Sequence, residues 1–544
     1  MKADLVLRAG PEGGRVFTGE GWAQAVAVGG GVVLACGEAR AVESLIGPGT
    51  RVIELRGRLC TPGLFDAHTH LLGGALSEDQ LDLRGVRSSD ELAARVAARI
   101  AERGPEGWVL GRGWDADELP GGRWPERAAL DRVSPRTPVL VRRRDGHAAL
   151  ANAEALRRAG IGAATPDPPG GRLLRLAGGA PDGILLEDPA LELVSRLVPP
   201  PTAAEKERAL ARLVARASAL GITSLEDDPS FDPTLRGHEV YSALWGRGAL
   251  PVRVRVWRKL GRPEDELRAE DAALVASGVP AERVAFGLMK GYLDGSLGSR
   301  TALLEAPYSD APEVGTGVPV TDPEQLFAWA RVAHAAGRQV GLHAIGDRAV
   351  RLALDVYERV GAAAGLAGLR AARHRIEHAQ LFRPADVERL VRLGVVASAQ
   401  PIHQASDMRV APARLGPERC RLSHCWGALL RAGAALAGGT DYPVEPLDPW
   451  PGIATAVTRR SPRQPELEPF QPQEALSLEQ ALAALTRGAA FAAHREDRLG
   501  LLRPGWRADL AVFSPDPGPA PGLEAAQVRC ELSVLDGQVV FERG

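Results

Sequence analysis

Cysteine is scarce in this sequence, with five in 544 residues. They stand at Cys36, Cys60, Cys420, Cys425 and Cys530, odd in number and scattered along the chain. That distribution excludes a disulfide framework and argues for reduced thiols and a cytoplasmic setting. Cys420 and Cys425, with His424 between them, make a poor zinc motif. No apolar run approaches the ~20 residues that cross a bilayer, so no membrane partner is expected. Neither sign of charge dominates: 66 Lys plus Arg oppose 68 Asp plus Glu, for a net charge of −2. Such a balance gives no electrostatic ground for binding nucleic acid. The start, Met1-Lys2-Ala3-Asp4-Leu5-Val6-Leu7, has an early acid and no long apolar core, and is not read as a signal peptide. There is no internal repeat, and the only low-complexity tract is the proline-rich Ser514–Pro521.

What is present fits a soluble globular protein: 45% apolar and 25% charged residues. The chain is too long for one ordinary domain, although a single barrel can be large. Both ends read as short strands: 4–9, 24–28, 31–35 and 51–54 at the start, and 508–513, 530–535 and 538–541 at the end. Asp536-Gly537 is a strong hairpin signal. Two β-rich ends around an α/β centre suggest one small sheet domain built from residues 1–60 and 490–544. The centre, 61–489, alternates strands with helices such as 203–220, 323–336 and 385–393. Its strand candidates lie at 63–70, 221–227, 251–257, 284–290, 339–343, 375–378, 395–400 and 434–441. Eight is the number of a (β/α)8 barrel. Residues 71–201 are far more than one crossover needs and read as an insertion able to cover the barrel mouth.

Several of these strands end in a metal-ligand side chain. His68-Thr69-His70 places two imidazoles on one face of the first strand, a set that suits zinc, nickel or iron. His343, His378 and Asp441 end three later strands. Each histidine alone is more often a satisfied core or helix-cap residue, and an aspartate before a turn is commonly a cap; together, at strand ends that a barrel brings close, they suggest a metal pair. Gly438 and Gly439 clear space before Asp441, whose carboxylate can both bind metal and take a proton from the attacking water. Glu377 is expected on the opposite face from His378 and is not assigned as a ligand. Lys290 also ends a strand. Beside divalent cations its neutral amine is favoured, and that amine can take up CO2 to give a bridging carbamate; the other reading is a cationic lysine paired with an acid.

These residues carry a family resemblance. Thr61-Pro62-Gly63-Leu64-Phe65-Asp66-Ala67-His68-Thr69-His70 resembles the PGxxDxHxH signature of the amidohydrolase superfamily. The segments Lys290-Gly291-Tyr292-Leu293-Asp294-Gly295-Ser296, His343-Ala344-Ile345-Gly346-Asp347, Glu377-His378 and Gly439-Thr440-Asp441-Tyr442-Pro443 resemble amidohydrolase family 3, the YtcJ-like group that includes N-substituted formamide deformylases. The resemblance runs over nearly the whole chain. It implies a barrel with a β-sandwich made by both termini, and one or two Zn2+ or similar ions at the barrel mouth. His68, His70 and Asp441 would hold the more buried ion and His343 and His378 the more exposed one, with carboxylated Lys290 between. It implies a hydrolase of non-peptide C–N bonds, amides or N-substituted formamides, with Asp441 as general acid and base. A deaminase, an ester, carbamate or lactone hydrolase, or a binding protein keeping the fold would use the same residues. Arg144-Asp145-Gly146-His147 resembles part of a DGHxxxxN block, which makes His147 a substrate-contact candidate. His403, Arg300, Trp114 and Asp115 are further candidates to line the site. The expected partner is a small-molecule substrate, and a homodimer is one assembly such a chain can form.

Overall fold

A computed structural model describes residues 2–229 and 235–544. Eight parallel strands in chain order form its central sheet: β1 (Leu64–Thr69), β2 (Ile222–Asp227), β3 (Arg253–Lys259), β4 (Val284–Tyr292), β5 (Val340–Ala344), β6 (Arg375–His378), β7 (Val396–Ala399) and β8 (Leu436–Gly438). All eight overlap the expected strands. Most of their residues are buried, as expected for a parallel sheet covered on both faces. Beyond β8 the chain closes onto β1: Asp441 N–H donates to His68 O at 2.8 Å, and His70 N–H to Tyr442 O at 2.7 Å. The helices follow from familiar local signals. Ala203–Ala219 opens on a capping box between Thr202 and Glu205 and buries Leu210, Leu213 and Val214.

The termini form two sheets that share one core. The four-stranded sheet holds Leu5–Arg8, Ala25–Gly29, Val32–Gly37 and Arg51–Glu54. The six-stranded sheet joins Leu59–Pro62 and Arg15–Phe17 to Leu510–Ser514, Arg529–Leu535 and Gln538–Glu542, with Trp22–Ala23 at its edge. Leu5, Leu7, Val26 and Val28 of one pack with Leu510, Val512, Leu532 and Val534 of the other, which makes a sandwich. Asp536 and Gly537 both have positive φ, 51° and 75°, at the expected hairpin turn. The chain leaves the sandwich at Pro62 and enters β1 at Leu64. Gly63 sits between, where a Cβ would lie 2.1 Å from Thr223 Oγ1, so no other residue fits without a shift.

The insertion after β1 has its own six-stranded sheet, with strands between Leu81 and Leu186, and the helix Ser89–Arg103 capped by Ser88. The preceding helix, Leu71–Ser77, instead packs its Leu71, Leu72 and Ala75 into the barrel core. Trp114 lies in the core of the insertion and donates its indole N–H to Val141 O at 2.9 Å. It is therefore a structural residue and does not line the site as expected. Trp114→Phe removes that bond from a carbonyl in a paired strand and should cost about 0.5–1.5 kcal/mol. Denaturant unfolding checks this, and an unchanged midpoint refutes it.

Candidate metal centre

The C-terminal ends of the barrel strands bring His68, His70, His378, His403 and Asp441 together. Two sets have candidate ligand atoms all within 4.8 Å of one another: His68, His70 and Asp441; and His378, His403 and Asp441. Asp441 is common to both. Its Oδ1 lies 3.2 Å from His70 Nε2 and 3.5 Å from His68 Nε2, and its Oδ2 lies 3.2 Å from His403 Nε2. Asp441 itself has φ 56°. Gly439 permits this approach, since a Cβ there would lie 2.7 Å from His68 N. Asp66 locks the two strand ends, accepting from Thr440 Oγ1 at 2.6 Å and from Thr440 N at 3.0 Å.

Three imidazoles are held from behind. His68 Nδ1 lies 2.7 Å from Glu377 Oε2, His70 Nδ1 lies 2.8 Å from Asp228 O, and His343 Nε2 lies 3.1 Å from Gly295 O. A partner on one ring nitrogen fixes the tautomer and aims the other nitrogen, as behind metal-bound histidines. Within the cluster, His68 Nε2, His378 Nδ1, His403 Nε2 and Asp441 Oδ1 are buried without a hydrogen bond. Buried polar atoms left this way call for a partner, and nitrogen plus carboxylate donors fit a divalent transition metal. Burial keeps His68, His343 and His378 well below the usual imidazole range, so they are neutral, the form that binds metal. Burial alone would raise the Asp441 carboxyl. The imidazoles of His403 and His70, each 3.2 Å from it, instead hold it well below the usual carboxylate range.

The structure departs from the sequence reading at several residues. Glu377 was expected to face away, yet both Glu377 and His378 reach the barrel interior. His378 has φ 70°, which breaks the strand's alternation at its last residue. His403, expected only to line the site, stands within reach of Asp441, with its ring stacked on His378 at 5.7 Å. His343 belongs to neither set, although its ring is 4.4 Å from that of His378. Lys290 Nζ is buried and lies 3.2 Å from Asp228 Oδ2.

A cavity of about 1080 Å³ opens above these residues, walled on one side by the barrel and on the other by the insertion. His147 lines it, with its ring 5.3 Å from that of His343 and Nδ1 2.7 Å from Glu187 Oε2. Burial opposes charge on His147, but Glu187 and Asp145 push it up to about 10, so it is cationic at neutral pH. Asp115 and Arg300 do not line the cavity. Asp115 is buried against Arg143, and Arg300 turns its guanidinium onto Asp310 at 2.8 Å. Arg143 also holds Asp145, which accepts from Ser296 Oγ at 2.5 Å and Ser299 Oγ at 2.7 Å. This ties the loop after β4 to the insertion. Asp228, Glu187 and Arg143 went unnoticed in the sequence, where only the strand-end position of Asp228 could have marked one of them.

Histidines and a carboxylate converging at the C-terminal mouth of a parallel barrel define a class of metal-dependent barrel enzymes. The chain belongs to the amidohydrolase family, whose sequence pattern matches residues 51–541, and is a metal-dependent hydrolase of that family. It is 36% identical to Protein LONG AFTER FAR-RED 3 of Arabidopsis thaliana over 529 residues, 94% of this chain and 87% of that protein. It is 26% identical to the N-substituted formamide deformylase of Arthrobacter pascens over 546 residues, 96% of this chain and 95% of that enzyme. Among solved structures, it resembles an uncharacterized metal-dependent hydrolase from Pyrococcus horikoshii, with a TM-score of 0.70 and 29% identity over 93% of this chain and 96% of that one.

Proposed function

We propose that this protein hydrolyses a non-peptide C–N bond, an amide or N-substituted formamide, in a small molecule. The observation that carries the reading is the pair of histidine sets sharing Asp441, with unsatisfied donor atoms turned into one cavity. His68, His70, His378, His403 and Asp441 would hold the metal, with His343 and Lys290 beside them. A divalent ion bound there, zinc in our reading and one or two per chain, would supply Lewis-acid chemistry, polarising a carbonyl and lowering the pKa of water from 15.7 towards about 7. Asp441 takes the proton from the attacking water and returns it to the leaving nitrogen. Its contacts with His70 and His403 fix the carboxylate for that transfer. His147 donates a hydrogen bond to the substrate, and Glu187 holds it in place. The insertion covers the cavity and limits the water that reaches the cut bond. The relative that deformylates N-substituted formamides supports this choice of bond. Assay of the zinc-loaded protein over N-formyl, N-acyl, cyclic imide and lactone substrates tests it. Turnover of the lactones alone would refute the C–N assignment.

Lys290 is a carbamate in this reading: its amine adds to CO2, forms a C–N bond and releases one proton. Asp228 and the ring of Tyr292 lie beside Nζ and bound its position. Lys290→Ala should lose one or both metals, and a short carboxylic acid should restore part of the activity. A carbamate carbon in the ¹³C spectrum of protein labelled with ¹³CO2 checks the group directly; a fully metallated protein without that signal refutes it.

His147→Ala should lower kcat/KM by roughly 10-fold or more, the loss of a charged hydrogen bond, while metal content stays native. Kinetics with parallel elemental analysis check this, and a variant short of metal would move His147 out of the substrate-binding role.

A further inference from the structure

Two arginines face the cavity without an ion pair among the described residues. Arg112 and Arg142 are direct partners on neighbouring parallel strands of the insertion sheet, so both side chains leave the same face. Both line the cavity. Among the described residues, neither forms an ion pair. The one side-chain bond of the two is from Arg112 Nη2 to Arg144 O at 3.0 Å. Their neighbours differ. Arg143 pairs with Asp115, Asp117 and Asp145, and Arg144 with Asp115 and Glu445. Asp145 is in turn consumed by Arg143, Ser296 and Ser299. Asp115, Asp117, Asp145 and Glu445 are therefore engaged elsewhere.

Like charges directly opposite on neighbouring strands destabilise a sheet. The strain shows in Arg112, whose guanidinium burial and the Arg142 charge push down to about 10, although it stays charged at neutral pH. Two such groups side by side in a concave wall suit an anion: guanidinium forks match carboxylate and phosphate oxygens and bind them in pairs. Arg112 also reaches towards the loop that carries His147. A Cβ on Gly146 would lie 3.8 Å from Arg112 Nη2. The same cavity thus holds the histidine cluster at its base and the paired arginines on its wall.

We propose that Arg112 and Arg142 bind an oxyanion, a carboxylate or a phosphate-type group, and that the substrate is an amide bearing such a group. The anion site stands on the arginine pair alone, whereas the amide rests on the reading of the barrel mouth given above. The anion anchors one end of the substrate on the insertion, and the cut bond reaches down to Asp441. The substrate then differs from a purely apolar formamide, for which two uncompensated guanidiniums would be a penalty.

The test uses the metal-loaded protein and three probes that share one ring: benzoate, phenylphosphonate and benzyl alcohol. Calorimetry should show both anions binding and the alcohol failing to bind. Arg112→Gln and Arg142→Gln should each weaken the anions roughly 10- to 100-fold, the range for hydrogen bonds to a charged group. The tighter of the two anions names the oxyanion. Anions that bind both variants as tightly as the parent sit on the metal or elsewhere, and overturn the proposal. Without ligand, the variants should melt no lower than the parent, because a repulsion is removed. A marked loss of stability would make the pair structural and also overturn it. A second arm compares N-formyl amino acids with the matching N-formyl amino alcohols. Preference for the acids, carried by KM and collapsed in Arg142→Gln, supports the substrate assignment. Arginine-dependent anion binding with no amide cut would sink the C–N reading and leave the anion site standing. Amide turnover with no preference for the anionic series would do the reverse.

Discussion

His68→Ala should leave the protein folded, strip metal from the centre and lower turnover by about 10³-fold or more, the rate equivalent of several kcal/mol of lost charge stabilisation. His68 is fully buried, so its removal raises the question of collapse. The groups behind it are secured independently. Glu377 Oε1 lies 2.7 Å from Arg375 Nε, and Arg375 also pairs with Glu226 at 2.7 Å. Deleting the imidazole therefore does not orphan the Glu377 charge, which is what makes truncation of a buried pair severe. The ring of Trp257, 4.9 Å from that of His68, borders the space left. Glu377→Gln separates aim from ligation. It keeps the ring in place but replaces the carboxylate that orients it, and should weaken metal binding about 10- to 100-fold. Elemental analysis after dialysis, run beside turnover, reads both effects. Full metal content in His68→Ala would remove this histidine from the centre and, with it, the reading of the first strand.

Much of the architecture was legible. Each barrel strand is a short apolar run set between helices, and that alternation has few solutions other than a barrel. Asp536-Gly537 specified its own hairpin because both residues accept positive φ. The same local reasoning brought His68, His70, His378 and Asp441 to one place, since strand ends converge in a barrel. It failed where a single backbone angle decides. Glu377 was put on the wrong face because strict alternation was assumed through His378, whose φ of 70° ends it. It failed again where pairing decides. Trp114, Asp115 and Arg300 are polar or aromatic residues beside recognisable segments, and nothing local shows that Val141, Arg143 and Asp310 already occupy them. The opposite case is Arg112 and Arg142. Their meaning lies in what they lack, and a sequence cannot display a missing partner.

Asp441→Asn should lower the chemical rate by roughly 10²-fold or more, the scale of general acid–base catalysis, while the protein keeps its fold and at least part of its metal. The backbone argument favours asparagine as the probe. Asp441 has φ 56°, and asparagine is among the few residues that tolerate the left-handed region. Asp441→Ala would confound lost chemistry with backbone strain. The side-chain argument is geometric. The two carboxylate oxygens face different histidines, Oδ1 towards His70 and Oδ2 towards His403, each at 3.2 Å. An amide keeps one oxygen to face one of them and turns an NH2 towards the other. The variant therefore loses the group able to take and return a proton, and one of the two shared contacts. His68 and His70 stay on one side of the centre, and His378 and His403 on the other, so metal should persist. Single-turnover kinetics isolate the chemical step from product release. If the asparagine variant, with native metal content, turned over at the parent rate, the proton would have to travel by another residue. His147 and His403, which line the same cavity, would then be the groups to replace next.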